Sequence, residues 1–467
     1  MRSASRLPSP GTGTHAVSPQ GQWQRRRTVR PEATLLELGI AGCTALAILA
    51  TLTISSALLT HWKIQYVTAG GNFYEKLHPA TYFTVLALGL ILLRSGNPVR
   101  ELVQIFAGSV TILFYLICWV LLLVQTVLLQ RPFTTVVDTF LLPLLLTIVI
   151  WRTNPSIRRL LVWLVHGLIL LNVLIGYYEF FAGSRIIPLT LGNILVVGEW
   201  RSAALLGHPL TASGLIAGYV LALLLKPSLC PQPMLRLALI AFCLGSLMVF
   251  GGRTALVTTL IVFALSAAFT LLRMLRGERF PLAGLIFAIA VIFASLAAIF
   301  ALLDLGLFDK MLLRFSSDKG SALARVATLN LLSHFDWNEI IFGPSVARAN
   351  ALQSQMGLDY GIENFWVSSI VQFGLILTAL MTTALVAFFT KIYLVSDRAV
   401  IAQMVLIAVI AASSVSFSSK NIQLAQFIIL ITTLLPRQAR QPRRAMQPQH
   451  SIDRRMPIRQ TAAGSAS

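Results

Sequence analysis

Two arginines and a histidine stand beside apolar stretches of the sequence, where charged side chains are rare. The segment GEWRSAALLGHPLTASG carries Arg201 and His208 just before an apolar run, and the turn GGRT places Arg253 inside another. An arginine at such a position is costly near lipid unless it faces water, a partner or a ligand. The three side chains are therefore candidates for a ligand-binding site.

Each of these residues also has a structural explanation. Arg253 can extend from a helix end to the membrane interface. Arg201 can form an ion pair with Glu199, and His208 before Pro209 can mark the start of a helix, since proline suits the first helical turn. From the residues alone, binding and structural roles remain open for all three.

The segment 304–363 is the longest predicted loop and carries further charges. The part SALARVATLNLLSHF has apolar residues at helical spacing, with Ser321 as a cap and Arg325 on the opposite side. Arg314 lies close by in sequence. These charges fit either a ligand site or the solvated face of an amphipathic lid, and the lid accounts for most of them. Its aromatic residues are sugar-stacking platforms or, as we favour, interfacial side chains: Trp337, Phe342, Tyr360, Phe365 and Trp366.

The composition defines the elements that must position these residues. The chain is 56% hydrophobic and only 12% charged, about half the usual charged fraction of a soluble domain. Only helices or closed barrels satisfy the backbone in lipid, and no alternating strand pattern is visible. We therefore predict an all-α polytopic membrane protein with about twelve transmembrane helices, at 35–59, 79–93, 103–126, 134–151, 160–181, 209–225, 237–251, 254–272, 281–303, 364–390, 399–415 and 422–435.

The predicted organisation has five parts. They are a disordered basic tail (1–33), nine transmembrane helices (34–303), the long loop (304–363), three more helices (364–435) and a second disordered basic tail (436–467). Most of the thirty-seven Lys and Arg residues fall in the tails and in the loops on the same side, so both termini are predicted to be cytoplasmic. The net charge of +20 then reflects membrane topology and anionic lipid, and nucleic acid is not expected as a partner.

Several kinds of catalytic motif are missing from the sequence. It has no HExxH, CxxC, Asp-x-Asp or Walker motif, so neither a metal site nor a cofactor is expected. The predicted cytoplasmic loops are too short for a nucleotide-binding domain. If the protein is an enzyme, its substrate already carries an activated group when it reaches the outer face, where the loop with Arg201, the turn with Arg253 and the segment 304–363 are predicted to meet.

The order of these motifs resembles the O-antigen ligase and Wzy-type polymerase superfamily, most closely the VpsF-like exopolysaccharide biosynthesis proteins. The resemblance rests on RSAALLGHPLTASG, on GGRTALV, on the series DKGSALAR, FGPS and IENFW, and on GGNFYEKLHPATY before the second span. It implies a GT-C-like fold with a long periplasmic loop, in the bacterial inner membrane. It also implies a substrate, an oligosaccharide on undecaprenyl pyrophosphate, with a chain-length regulator and export proteins as further partners.

The resemblance also implies roles for individual residues. Arg201 and Arg253 match the two arginines that grip the pyrophosphate, and a guanidinium can bind phosphate oxygens with two parallel hydrogen bonds. Ligases carry a His-Asn pair where this chain has Glu363 and Asn364, which is more similar to polymerases. Glu363 is then the candidate base that accepts the proton of the attacking hydroxyl. His208, Arg314, Arg325 and Asn364 are candidate substrate-binding residues.

The expected function is therefore a polysaccharide polymerase, a metal-independent glycosyltransferase that joins lipid-linked repeat units. A ligase of the same superfamily is the first alternative, although the His-Asn pair is missing. A flippase for lipid-linked glycan is the second, although charged residues within the predicted spans are few and Glu179 lies near the end of its span. A structural subunit of an export complex is the third.

Overall fold

The computed structural model describes residues 33–68, 70–188, 190–191, 194–195, 201–277, 321–358, 361–413 and 420–437. The two predicted tails lie almost entirely outside these residues, as do the predicted span 281–303 and Arg314. The fold is all-α within the described ranges, apart from one two-residue strand pair in which β1 (Thr190–Leu191) is antiparallel to β2 (Ile194–Leu195).

The helices begin where the sequence supplies a cap or a proline. Asn97, Asn154, His208 and Asn364 each accept a hydrogen bond from the first turn of the helix that follows, and three of these helices open on proline. The main helices are α1 (Ala33–Thr53), α2 (Ser56–His61), α3 (Pro79–Arg94), α4 (Pro98–Ala107), α5 (Val110–Leu128), α6 (Phe133–Arg152), α7 (Pro155–Ala182), α8 (Pro209–Leu225), α9 (Pro233–Phe250), α10 (Arg253–Leu275), α11 (Ser321–Leu331), α12 (Trp337–Phe342), α13 (Val346–Gln355), α14 (Phe365–Phe373), α15 (Leu375–Val395), α16 (Val400–Ser413) and α17 (Gln423–Leu434).

Membrane-spanning helices form the body of the protein. Within the described residues, seven helices are long and apolar enough to cross a bilayer, and the bent pair α3 and α4 gives an eighth. The seven are α1, α5, α6, α7, α9, α10 and α15. Three shorter apolar helices, α8, α16 and α17, pack among them. The protein is therefore a multi-pass membrane protein.

Three predicted spans have different boundaries in the structure. The predicted span 35–59 ends too late, because α1 finishes at Thr53 and Ser55 caps the separate helix α2. The predicted span 103–126 is wrong at its start, because residues 98–107 form α4, which is bent by 111° from α3. Asn97 caps α4 and Pro98 opens it, and α5 begins only at Val110. The helix α4 is amphipathic and buries Glu101 and Ile105, so residues 103–107 complete a short bent segment instead of entering the next span.

The predicted span 364–390 is two helices separated at Gly374. This glycine has φ of 83° and ψ of 162°, a backbone conformation that residues with a side chain rarely adopt. A Cβ atom here would lie 2.5 Å from the carbonyl oxygen of Ile341, so α12 approaches the break at backbone distance. The start of α14 lies at the end of α16, where Asn364 donates to the carbonyl of Ala412 at 3.4 Å.

One end of the bundle, which we call the salt-bridge end, is where α1 begins and α3 and α6 finish. Arg94 donates to Glu37 at 2.6 Å and to the carbonyl of Arg152 at 3.2 Å. Arg152 in turn contacts Glu101 at 2.5 Å. Lys226, after α8, donates to the carbonyls of Leu434 and Pro436. These contacts tie the helix ends together through paired charges.

The opposite end, which we call the cavity end, is where α1 finishes and α3, α8 and α17 begin. Here the loop segments 321–358 and 361–364 fold onto α14 through a second apolar cluster that includes Leu331, Phe335, Ile362 and Val371. Two side chains, one in the last turn of α5 and one just after it, bind the loop segments to the bundle. Gln125 donates to the carbonyl of Phe342, and the half-buried Arg131 donates to the carbonyls of Pro344 and Val371.

Candidate functional site

A polar cavity of about 150 Å³ opens at the cavity end, between the starts of α2, α3, α8 and α17. Exposed side chains at its mouth, Ser56 and His208, give way to buried ones at its floor, Gln423 and Gln426. A polar space inside an apolar bundle is unusual, because each buried polar group needs a partner. The full lining is Ser55, Ser56, Tyr66, His78, Leu206, His208, Thr211, Lys420, Asn421, Ile422, Gln423 and Gln426.

Beneath the cavity lies Asp138, which is fully buried in α6. Its carboxylate accepts hydrogen bonds from the Tyr66 hydroxyl at 2.9 Å and from the Thr81 hydroxyl at 2.7 Å, and the backbone N–H of His78 also donates to it. The segment between α2 and α3 is thereby fixed to α6. A buried charge is stable only when it is paired and hydrogen-bonded, so this carboxylate is a structural anchor for the cavity wall.

Lys420 supplies the opposite charge. Its ammonium lies 4.0 Å from an Asp138 carboxylate oxygen and 3.8 Å from the centre of the Tyr66 ring. It donates to the carbonyls of Tyr66 and Lys76 and to the Thr134 hydroxyl. Burial lowers the pKa of Lys420 to about 8, against the attraction of Asp138. The ammonium joins three segments that are far apart in sequence.

His78 caps α3 and lines the cavity at the same time. Its Nδ1 accepts from the N–H of Ala80 at 3.1 Å, and its Nε2 lies 2.8 Å from the carbonyl oxygen of Ile54. The ring must therefore carry its proton on Nε2. Burial lowers the pKa of His78 to about 4, so the ring is neutral at pH 7 and both nitrogens serve the protein's own backbone.

Two glutamines at the start of α17 have amide atoms that no hydrogen bond satisfies. Both side-chain atoms of Gln423 and the Oε1 of Gln426 are buried without a partner, although Nε2 of Gln426 donates to the carbonyl of Thr51 at 3.0 Å. A buried unsatisfied polar group costs about 1–3 kcal/mol. These amides line the floor of the cavity, so a ligand or water there would complete their bonding.

The segment that carries Arg201 is fixed to α7 by Glu179. This fully buried carboxylate accepts from the N–H groups of Ile186, Ala203 and Ala204, at 2.9, 2.9 and 3.0 Å. The carbonyl of Arg201 accepts a hydrogen bond from Arg185. Leu206, five residues later, lines the cavity, so Arg201 is held at the cavity end. Its proposed partner Glu199 lies outside the described residues.

The turn with Arg253 joins α9 to α10 beside the first turns of α8. Gly251 has φ of 68° and ends α9, and Arg253 is the first residue of α10. A Cβ atom on Gly252 would collide with the side chain of Ser213 in α8, so the turn is pressed against that helix. His208 caps the same helix by accepting from the N–H of Leu210. The helix-start explanation of His208 is therefore confirmed, and the side chain also lies at the cavity mouth.

Glu363 and Asn364 precede α14 at the cavity end. Asn364 caps α14 by accepting from the N–H groups of Trp366 and Val367, and it donates to the carbonyl of Ala412 near the end of α16. Glu363 is half buried beside it. The predicted helix with Arg325 exists as α11, although the side chain of Arg325 lies outside the described residues.

Other charges of the long loop pair with one another. Arg348 contacts Glu339 at 3.1 Å and Asp336 at 3.8 Å, and these side chains lie on the outer layer. Trp337 and Phe342 are exposed, whereas Phe365 is buried against Phe140. These charges therefore bond one another within the outer layer. Tyr360 lies outside the described residues.

The structure thus brings Arg201, His208, Arg253, Glu363 and Asn364 to one end of the bundle. Apart from His208, sequence reasoning missed the residues that line or support the cavity, above all Asp138, Lys420 and Gln423. A signal was available, because Asp138 interrupts an apolar run and SSKNIQ is a polar stretch that runs into the start of the predicted span 422–435. No family model, curated protein or solved structure matches the chain.

Proposed function

We propose that the protein is a membrane glycosyltransferase that joins glycan units carried on undecaprenyl diphosphate, in the manner of a polysaccharide polymerase of the bacterial inner membrane. The observation that carries the proposal is that the Arg201 segment is attached to α7 and the Arg253 turn to the first turns of α8, at the end of the bundle where the polar cavity opens. Guanidinium groups at one end of an apolar bundle suit a lipid whose charged head is a diphosphate. The proposal includes about twelve spans and a GT-C-like arrangement, with the cavity end facing the periplasm.

The chemistry is a substitution at the anomeric carbon of the donor glycan. The oxygen of an acceptor hydroxyl forms the new glycosidic bond, and the bond from the anomeric carbon to the diphosphate oxygen breaks. The electron pair leaves with the diphosphate, whose added charge Arg201 and Arg253 stabilise. The hydroxyl proton passes to a carboxylate, for which Glu363 is the candidate. His208 and Asn364, at the same end of the bundle, are candidate substrate contacts.

The test uses the purified full chain in lipid vesicles with undecaprenyl-diphosphate-linked repeat units and no nucleotide. We expect longer glycans, at a rate that EDTA leaves largely unchanged because the arginines neutralise the leaving group. Arg201→Ala and Arg253→Ala should each abolish elongation. Arg253→Lys should fail to restore it, because a bidentate phosphate contact needs a guanidinium.

The matched control is Arg348→Ala, which removes an arginine of the same end that pairs with loop carboxylates. This variant should elongate normally. Transfer of the units across the vesicle membrane without any new glycosidic bond would show a flippase and reject the proposal.

A further inference from the structure

The cavity at the start of α17 offers hydrogen-bonding groups rather than an available charge. Lys420, the cation on its lining, already donates to two carbonyls and a hydroxyl and lies beside Asp138. His78 uses both ring nitrogens on the backbone. What remains at the floor is the complete amide of Gln423, 1% exposed, and the Oε1 of Gln426, 3% exposed, all without a partner.

This set of groups specifies a chemistry. One amide offers a donor and an acceptor side by side, and a neighbouring carbonyl oxygen offers a second acceptor. A ligand with vicinal hydroxyl groups can accept a hydrogen bond from the Gln423 amide N–H and donate to the Oε1 atoms of Gln423 and Gln426. A diphosphate, which only accepts, would leave both acceptor oxygens unsatisfied and would face their partial negative charge.

The size of the cavity is also specific. A cavity of about 150 Å³ holds a six-membered ring in an engineered apolar site, and this one has the same volume. Leu206, Ile422 and the Tyr66 ring give it apolar walls around the polar floor. Such a combination matches the apolar faces and hydroxyl edges of a sugar ring.

We infer that this cavity is a binding subsite for one neutral pyranose ring, whose hydroxyl groups bond the amides of Gln423 and Gln426. The inference rests on the proposed function, since the ring would belong to the lipid-linked glycan whose diphosphate Arg201 and Arg253 bind. It assigns recognition of the sugar to α17 and recognition of the diphosphate to the loops.

The test measures binding to the purified full chain in nanodiscs with four probes: undecaprenyl diphosphate and the same lipid linked to glucose, N-acetylglucosamine or glucuronic acid. At least one neutral glycolipid should bind more tightly than the bare lipid. Gln423→Leu should weaken that binding about tenfold, the loss of two neutral hydrogen bonds, and should leave the bare lipid unaffected. Because leucine removes an unsatisfied amide, the melting temperature of the variant should stay equal or rise.

The matched control is Gln403→Leu. Gln403 is an equally buried glutamine in α16 that bonds the carbonyl of Gly218 away from the cavity lining. This change should alter no glycolipid affinity.

The inference is overturned if every glycolipid binds like the bare lipid, if the glucuronate-linked lipid binds most tightly, or if Gln423→Leu weakens all probes equally or none. Failure of the wild-type chain to bind any probe, bare lipid included, would instead reject the proposed function, and the inference with it.

Discussion

At the salt-bridge end, Arg94 meets Glu37 on a neighbouring helix and both remain partly exposed: the Arg94 side chain is 13% exposed and that of Glu37 is 29% exposed. At the cavity end, Asp138 is fully buried and is bonded by groups from distant segments, with Lys420 4.0 Å away. Removing one partner of an ion pair that water still reaches costs less than breaking a fully buried pair, which leaves an uncompensated charge. The salt-bridge end should therefore tolerate the loss of one charged side chain, whereas the cavity end should not.

The largest expected effect comes from the centre of that structure. Asp138→Ala should lower the free energy of unfolding by about 3–5 kcal/mol, because it strands the Lys420 ammonium and the donors of Tyr66 and Thr81. The matched change at the salt-bridge end, Glu37→Ala, should cost clearly less, because water reaches the side chains of both Glu37 and Arg94. Denaturant unfolding in detergent measures both. Equal losses of unfolding free energy in the two variants would show that the charged groups of the two ends contribute alike to stability.

Loss of activity without unfolding is expected from a change at Glu179, which holds the segment that carries Arg201. Glu179→Gln replaces a carboxylate that accepts three backbone N–H groups with an amide that can accept at only one atom. The segment with Arg201 should shift, and elongation should fall about a hundredfold, as for small misplacements of binding groups. Limited proteolysis should show faster cleavage after Arg185 or Arg201. Normal elongation together with faster cleavage would show that the position of Arg201 does not matter for the reaction.

The two ends also differ in how closely the backbone is packed, and one glycine with positive φ at each end tests this difference. At Gly374 an added Cβ would lie 2.5 Å from the carbonyl oxygen of Ile341, whereas at Gly96, at the salt-bridge end, it would meet nothing within 4 Å. Gly96→Ala should cost about 1 kcal/mol, the penalty of its φ of 73°. Gly374→Ala should cost clearly more, because the loop must also move. Thermal unfolding compares them, and a smaller loss at Gly374 would contradict the backbone contact.

The last expected effect is a dependence of stability on pH. Burial lowers the pKa of His78 to about 4 in the folded protein, below the value of about 6.5 in an unfolded chain. Between these values the unfolded state binds more protons, so stability should fall as the pH decreases from 6.5 to 4. His78→Asn, which retains a capping side chain, should reduce this fall. An unchanged pH profile in the variant would assign the effect to other groups.

Much of the helical plan was readable in the sequence, since helix starts and apolar runs are local signals. The span predicted at 209–225 coincides with α8, and that at 134–151 differs from α6 by one residue at each end. The bend after α3 was missed, although Gly96, Asn97 and Pro98 together mark a new helix start. The break at Gly374 was missed because only contact with α12 gives that glycine its role.

The sequence by itself determined that this is an all-α, multi-pass membrane protein, because hydrophobic length and helix caps act within a few residues of one another. It also identified Arg201, His208 and Arg253 as unusual residues at helix ends. Only the tertiary structure decided that Thr139 and Asn421, 282 residues apart, would meet, and that Asp138 and Lys420 would pair beside a polar cavity. Such pairings depend on which helices pack together, and packing between apolar helices is not specified by the local spacing of residues.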